Sequence, residues 1–349
     1  MTKRIRVGIL GATGTVGQRF VQLLEGHPQF VITALAASDR SVGKTFGEAC
    51  TWRLPGEIPQ GLRGVPVRPP EPPLDCDMIF SSVPADMGRT MEGCFAEAGY
   101  PVVSNTSSYR MDASVPLLIP EVNPEHLALL DRAPRKGKGF IVTNPNCSAI
   151  GIALALAPLE RRFGIDAAVV TTLQAISGAG YPGVSAMDIT DNVIPFIASE
   201  EEKIERETRK ILGTVRDGAI EPAPLAVSAQ VHRVNVQDGH IAAVRVKLRR
   251  KATLVELREA FATFSGVPQA MKLHTAPARP VLVRDEPDRP QPLLDRDAGG
   301  GMSITVGRLL PDAVLDYRFV VLSHNTIRGA AGAAILNAEL LLAKGYLKK

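Results

Sequence analysis

A short apolar run, Ile5–Leu10 (IRVGIL), meets the loop GATGTVG at Gly11 and continues into the helical pattern QRFVQLLEGHP. No other stretch restricts the fold as strongly. A buried strand, a glycine turn and a helix, in that order, begin a parallel strand–helix–strand unit. Gly11, Gly14 and Gly17 give the spacing GxxGxxG. Lacking side chains, such a loop lets the backbone approach a pyrophosphate, to which the following helix N-terminus presents unpaired N–H groups. A plain tight turn would need the same residues. The placement between strand and helix favours a dinucleotide site.

The rest of the first half repeats the alternation. VITALAA, DMIFSSVP, PVVSNTS and GFIVTNP read as strands, with a helix near Met87–Ala98, and the Pro-rich PVRPPEPPLD reads as a loop. This pattern predicts an α/β fold: a Rossmann-type nucleotide-binding domain whose parallel sheet is covered on both faces. The second half changes character. AAVVTTLQAIS, HIAAVRVKLRR and GGGMSITVGRL read as longer strands of a mixed sheet, joined by the helices SEEEKIERETRKILG and TLVELREAFATF. NTIRGAAGAAILNAELLLAKGYL reads as a long apolar helix that returns to the first domain. The expected division is 1–146 with 325–349, and 147–324 as an α+β catalytic and dimerisation domain; a chain of 349 residues suits two such cores.

Composition narrows the partners. Aromatics make up 5% of residues, too few for base-stacking platforms. The net charge of +4 is spread along the chain, which suits small anionic ligands and argues against nucleic acid. No apolar run approaches the ~18 residues of a membrane span. The basic lead of MTKRIRVGILGATG runs straight into the first strand, so no export signal is read and a cytoplasmic location is expected. Cys50, Cys76, Cys94 and Cys147 form no CxxC pair, which points to reduced thiols and to no metal site.

Cys147 is the unusual one. In VTNPNCSAIGIALALAPL it sits between Asn146 and Ser148, at the polar edge of a long apolar run rather than inside it. CSAIGIALALAPLERRFG reads as a helix of ~15 residues or more. A cysteine at its N-terminus gains a lowered pKa from the dipole. Asn146 could orient the thiol or polarise a bound carbonyl. A buried structural thiol fits the position equally well. A thiolate needs a base, and of six histidines His232 and His240 flank RVNVQDG. His232 alternates with Val234 and Val236, as a packing residue would. His240 follows the QDG turn and opens the next strand. Spacing separates the two only slightly. His27, His126, His274 and His324 read as ordinary surface or core residues.

The end of the second strand, ASDRSVGK, bears on the cofactor. Asp39 alone would suit a ribose 2′-hydroxyl and NAD. Ser38, Arg40, Ser41 and Lys44 together suit a 2′-phosphate and NADP, with a solvated turn as the plain alternative.

Taken together, GATGTVGQRF, SNTSSYRMD, IPEVNPEH, NPNCS, LQAISGAGYPG, EEEKIERETRKILG, VHRVNVQDGH and NTIRGAAGAAILNAELL resemble the aspartate-semialdehyde dehydrogenase family, in its archaeal and fungal branch. The resemblance covers nearly the whole chain in order. It implies Cys147 as the nucleophile and His240, rather than His232, as the acid/base. It implies Arg233 for the substrate α-carboxylate, Glu200 for the α-amine, and Arg110 with Lys203 for inorganic phosphate. Asn146 and Gln174 would line the acyl site. Gly11, Thr13, Gly14, Thr15, Val16, Ser38, Arg40, Ser41, Lys44, Ser81, Ser177, Gly178 and Asn325 would contact NADP. Glu200 and Lys203 lie three apart and share a helix face, although an exposed ion pair is the commoner outcome of such spacing. Arg233 carries the fork that matches a carboxylate, and could equally be a surface arginine on an edge strand. Two departures stand out: Asn235 where the family more often has proline, and Ser323–His324 where a Gly–Asp pair is usual.

The implied reaction is the reversible reductive dephosphorylation of L-4-aspartyl phosphate to the semialdehyde, through a cysteine thioester, by a homodimer or homotetramer. Malonyl-CoA reductases resemble the same branch and give a second enzymatic reading. A nicotinamide-sensing regulator without chemistry is the reading from another class; it would need no nucleophile.

Overall fold

The computed structural model describes residues 4–132 and 139–347. The first sheet holds β1 (Ile5–Leu10), β2 (Phe30–Ala36), β3 (Val67–Arg68), β4 (Met78–Ser81), β5 (Pro101–Ser104) and β6 (Phe140–Thr143), in the order β3-β2-β1-β4-β5-β6. Every pairing in it is parallel. β4 and β6 are buried at every position, because helices cover both faces. β3 lies inside the Pro-rich segment expected as loop; two residues long, it has too little pattern to register as a strand. Strand order reverses between β1 and β4, where Leu10 stands opposite Ser81. A crevice therefore opens at their carboxyl ends, the usual ligand position in such sheets.

The second half contributes β7 (Ile165–Gln174), β8 (Thr214–Arg216), β9 (Ala219–Glu221), β10 (Ala226–Arg233), β11 (His240–Leu248), β12 (Val281–Val283), β13 (Ile304–Pro311) and β14 (Tyr317–Ser323). β8 and β9 form a hairpin; the others form a mixed sheet, β10-β7-β11-β14-β13-β12. β7 alternates buried and accessible residues along its length. Its inner face packs on the helix Ala149–Phe163, which is buried along nearly its whole length. Its outer face leaves Val169 and Leu173 each 40% exposed.

The C-terminal helix runs over Gly332–Ala343, after a π-helical turn at Ile327–Ala331. It starts seven residues later than the sequence pattern begins, because Asn325 is held in a loop by its side chain: Gly239 N–H donates to Oδ1 (2.8 Å) and Nδ2 donates to Ser177 Oγ (2.7 Å). Ile335, Ala338 and Leu341 pack in one core with Val7, Phe20 and Val103 of the first half. Leu117, Ile119 and Val122, from the first half, pack in the core beneath the mixed sheet. Among the described residues no helix is long and apolar enough to cross a membrane.

Candidate active site

β6 delivers the chain to the cysteine loop, and Asn146 fixes that loop. Its Oδ1 accepts from the N–H groups of Ser148 (2.9 Å) and Ala149 (3.0 Å), capping the helix behind Cys147. Its Nδ2 donates to Glu200 Oε1 (2.9 Å), and its own N–H donates to Glu207 Oε2 (2.6 Å). With these groups engaged, Asn146 ties the loop on both sides of Cys147. Gly329 backs the cysteine from the C-terminal segment: a Cβ there would lie 2.9 Å from Cys147 Cβ.

Cys147 Sγ lies 3.3 Å from His240 Nε2. His240 is the first residue of β11, and its Nδ1 accepts from the N–H of Ala175 at 3.0 Å. A backbone N–H can only donate, so the neutral ring carries its proton on Nε2, facing the sulfur. Burial, then the Arg233 charge, pushes His240 down to about 3. Burial, then Glu200, pushes the Cys147 thiol up to about 12, against the opposing pull of Arg110 and Arg233. The pair is thus a thiol beside a neutral imidazole. This reverses the lowered thiol pKa expected from helix position. The helix begins at Ala149, and desolvation outweighs its dipole.

Arg233 ends β10, is 6% exposed, and donates through Nη1 to Ala175 O at 2.7 Å. Gly178 packs against both Arg233 and His240, since a Cβ on it would meet Arg233 Nη1 at 2.9 Å and His240 Cε1 at 3.1 Å. Gln174 is buried at the end of β7, where its Nε2 donates to Thr172 Oγ1 (3.3 Å). His232 sits one residue earlier on β10 than Arg233 and faces Thr172 O (3.2 Å), away from the sulfur's partners. The strand alternation read through Val234 and Val236 does not form, because β10 stops at Arg233.

The acidic helix Glu200–Ile211 supplies the opposite wall. Glu200 is 6% exposed and 4.0 Å from Lys203 Nζ. Lys203 and Arg110 line one cavity of about 190 Å³ with Ser107, Ser199 and Arg206. Arg110 Nη1 donates to Glu207 Oε1 (3.1 Å) and Nη2 to Asn105 O (2.7 Å), while Nε is buried without a partner among the described residues.

The nucleotide rim is built differently. Gly11 has φ +76°, and a Cβ there would lie 2.7 Å from Ser82 O. A Cβ on Gly17 would lie 2.2 Å from Gly11 O, so the helix can close on the loop only with glycine here. The helix Thr15–Leu24 has no side-chain cap and no acidic residue in its first turn, leaving its N-terminus to an anion. Thr13, Thr15 and Val16 are partly accessible beside it, and Ser81 is buried at the crevice. Ser38, Arg40 and Lys44 are exposed beyond β2, and Ser41 is buried in the same turn. Neither Arg40 nor Lys44 forms an ion pair within 4.0 Å among the described residues. These residues fit a phosphorylated dinucleotide.

Of the two departures, Asn235 is exposed in the loop before His240. Ser323 stands opposite His240 in the pairing of β14 with β11, and buried His324 is pushed down to about 4 by desolvation. The second departure therefore adjoins the imidazole. Glu207, Lys210 and Gly329 are the neighbours of this site that the sequence reading missed.

A family model described as the NAD binding domain of semialdehyde dehydrogenase matches residues 6–130, and one for the dimerisation domain matches residues 156–328. The aspartate-semialdehyde dehydrogenase of Methanothermobacter thermautotrophicus is 52% identical over 343 residues, 97% of this chain and 99% of that protein. The chain belongs to the aspartate-semialdehyde dehydrogenase family. The Candida albicans member is 46% identical, covering 98% of this chain and 99% of its own. A crystal structure of the C. albicans family member with NADP superposes with a TM-score of 0.91 at 43% identity, over 99% of this chain and 100% of that one. Aspartate semialdehyde dehydrogenase II of Vibrio cholerae, complexed with ASA, has a TM-score of 0.79 at 28% identity, over 99% and 100%.

Proposed function

We propose that this protein interconverts L-aspartate 4-semialdehyde and L-4-aspartyl phosphate, using NADP and inorganic phosphate. The observation that carries the reading is the 3.3 Å contact of Cys147 Sγ with His240 Nε2, at a thiol electrostatically coupled to Glu200, Arg110 and Arg233. A nucleophile, a proton donor, and charges for a zwitterion and an anion meet at one sulfur.

In the oxidative direction Arg233 binds the substrate carboxylate through its fork and Glu200 receives the ammonium. Sγ bonds the aldehyde carbon, and the thiol proton passes to the aldehyde oxygen, giving a thiohemiacetal. His240 mediates that transfer and donates Nε2–H to the oxygen as its charge develops. When bound, NADP⁺ would be held by the glycine loop, Arg40 and Lys44 and would accept the hydride; the thiohemiacetal hydroxyl proton leaves past His240 to water, so that a thioester remains on Cys147. Arg110 and Lys203 hold phosphate, whose oxygen attacks the thioester carbon. The C–S bond breaks, Cys147 takes up the proton that the attacking phosphate gives up, and aspartyl phosphate leaves.

Glu200 also decides against malonyl-CoA. That substrate has a carboxylate but no amine, so a nearly buried carboxylate would face it without a cation. We further propose that two copies pair through the outer face of the mixed sheet, supported by its accessible apolar residues and by the matched dimerisation domain. A homotetramer would be two such pairs. We divide the chain into 1–146 with 325–349 and 147–324, and place it in the cytoplasm, where its four free thiols stay reduced. The deciding assay is NADP⁺ reduction by the semialdehyde with and without phosphate, beside NADPH oxidation by malonyl-CoA. Malonyl-CoA turnover equal to that of the semialdehyde would overturn the substrate assignment.

A further inference from the structure

We infer that Glu207 is a positioning residue that fixes the phosphate-holding arginine and the nucleophile loop to one another. It rests on the reading of Arg110 as the phosphate ligand. The Glu207 side chain is 2% exposed and its two oxygens serve two different elements. Oε1 accepts from Arg110 Nη1 at 3.1 Å; Oε2 accepts from the N–H of Asn146 at 2.6 Å. That N–H belongs to the residue immediately before Cys147. One carboxylate therefore bridges residue 110, which holds the incoming anion, and residue 147, which carries the acyl group.

The same helix secures both ends of this bridge. Two turns before, Glu200 accepts from Asn146 Nδ2. One turn after, Lys210 is buried and donates to the carbonyls of Arg110 (2.7 Å), Asp112 (2.8 Å) and Val115 (2.9 Å). The backbone that carries Arg110 and the loop that carries Cys147 are thus pinned to one face of one helix, at positions 200, 207 and 210. An ion pair made only for stability has no need of this sharing, and burying two charges is a poor way to gain stability. Acyl transfer does need it: the rate at which phosphate meets a thioester carbon depends on holding the two at a fixed separation.

Glu207→Gln tests this. The amide keeps the shape and one acceptor oxygen, so either Arg110 or the Asn146 N–H loses its partner. Two readouts are separable: NADPH formed in a single turnover without phosphate reports acylation at Cys147, and the phosphate KM reports deacylation. Glu207→Gln is expected to slow the first and raise the second, each about tenfold. Arg110→Ala is expected to raise the phosphate KM by a larger factor than it slows the single turnover. The double variant should then show a phosphate KM no higher than Arg110→Ala alone, since both changes break one connection. Glu207→Asp, which keeps the charge and both acceptors, should recover part of each loss, and provides the same two readouts should the glutamine variant not fold. A Glu207 variant that loses active enzyme in proportion to its loss of fold, with the phosphate KM unmoved, overturns the inference. So does full additivity with Arg110→Ala. If instead Arg110→Ala leaves the phosphate KM unchanged, the phosphate assignment itself falls.

Discussion

The nucleotide rim and the acyl pocket solve the problem of ligand binding in opposite ways. At the rim, the helix N-terminus carries no side-chain cap, and Arg40 and Lys44 are exposed and form no ion pair among the described residues. In the pocket, Asn146, Glu200, Glu207, Arg110 and Arg233 are at least nine-tenths buried and already hydrogen-bonded to one another or to main chain. A cofactor that comes and goes is met by solvated, adaptable groups. A reaction that needs fixed angles is met by a network whose geometry exists before substrate arrives. Substitutions at the rim should therefore act on cofactor affinity alone, and substitutions in the pocket on turnover and phosphate KM with cofactor affinity unchanged.

The largest effect expected is from Cys147→Ala: turnover falls by about 10⁴-fold or more while NADP affinity, measured by fluorescence titration, stays within twofold. Loss of cofactor binding in this variant would dissolve the contrast between the two regions. His240→Ala should lower kcat by roughly 10²–10⁴, and His232→Ala by less than about threefold. Equal losses would mean that the wrong imidazole has been placed at the sulfur.

The thiol itself gives the next test. With Cys147 raised to about 12, its thiolate fraction grows with pH throughout the accessible range. Iodoacetamide labelling of the ligand-free protein, followed by mass spectrometry, should then accelerate about tenfold per pH unit from 7 to 10, without a plateau. The exposed Cys94 should be labelled before it, and Cys50 and Cys76, buried and raised to about 11 and 12, last. A plateau for Cys147 near pH 8 would show a pre-ionised nucleophile. The smallest effect is at the rim. Arg40→Ala with Lys44→Ala should weaken NADP about tenfold more than NAD, with kcat unchanged at saturation. Equal weakening of both would remove the 2′-phosphate from this position.

The rim was the more legible region because its residues are contiguous. Strand, glycine turn and helix follow one another in the chain, and the steric limits at Gly11 and Gly17 involve neighbours only a few residues away or on the adjacent strand end. The pocket is assembled across the chain. Spacing could not choose between His232 and His240, because the choice depends on where β10 stops and which strand lies beside it. Glu207 and Lys210 were invisible for a different reason. In EEEKIERETRKI, charged residues recur at nearly every position and suggest a solvated helix. Only the two isoleucines, Ile204 and Ile211, mark the inward face, and the buried charges flank them. A charged residue next to such a sparse apolar stripe was the available signal. The short β3, β8, β9 and β12 carry too few residues for periodicity, and the thiol pKa followed from burial, which no local pattern states.

The close approach of Gly329 to Cys147 has a consequence for how the molecule comes into being. The wall behind Cys147 is supplied by Gly329, far later in the chain. On the ribosome, which releases a chain from its N-terminus onward, the glycine loop and β1–β6 emerge long before that wall exists. The helix Gly332–Ala343, which completes the core around β1, emerges later still, so neither the rim nor the pocket is complete before it, and a chain broken off anywhere before residue 329 leaves Cys147 without its backing.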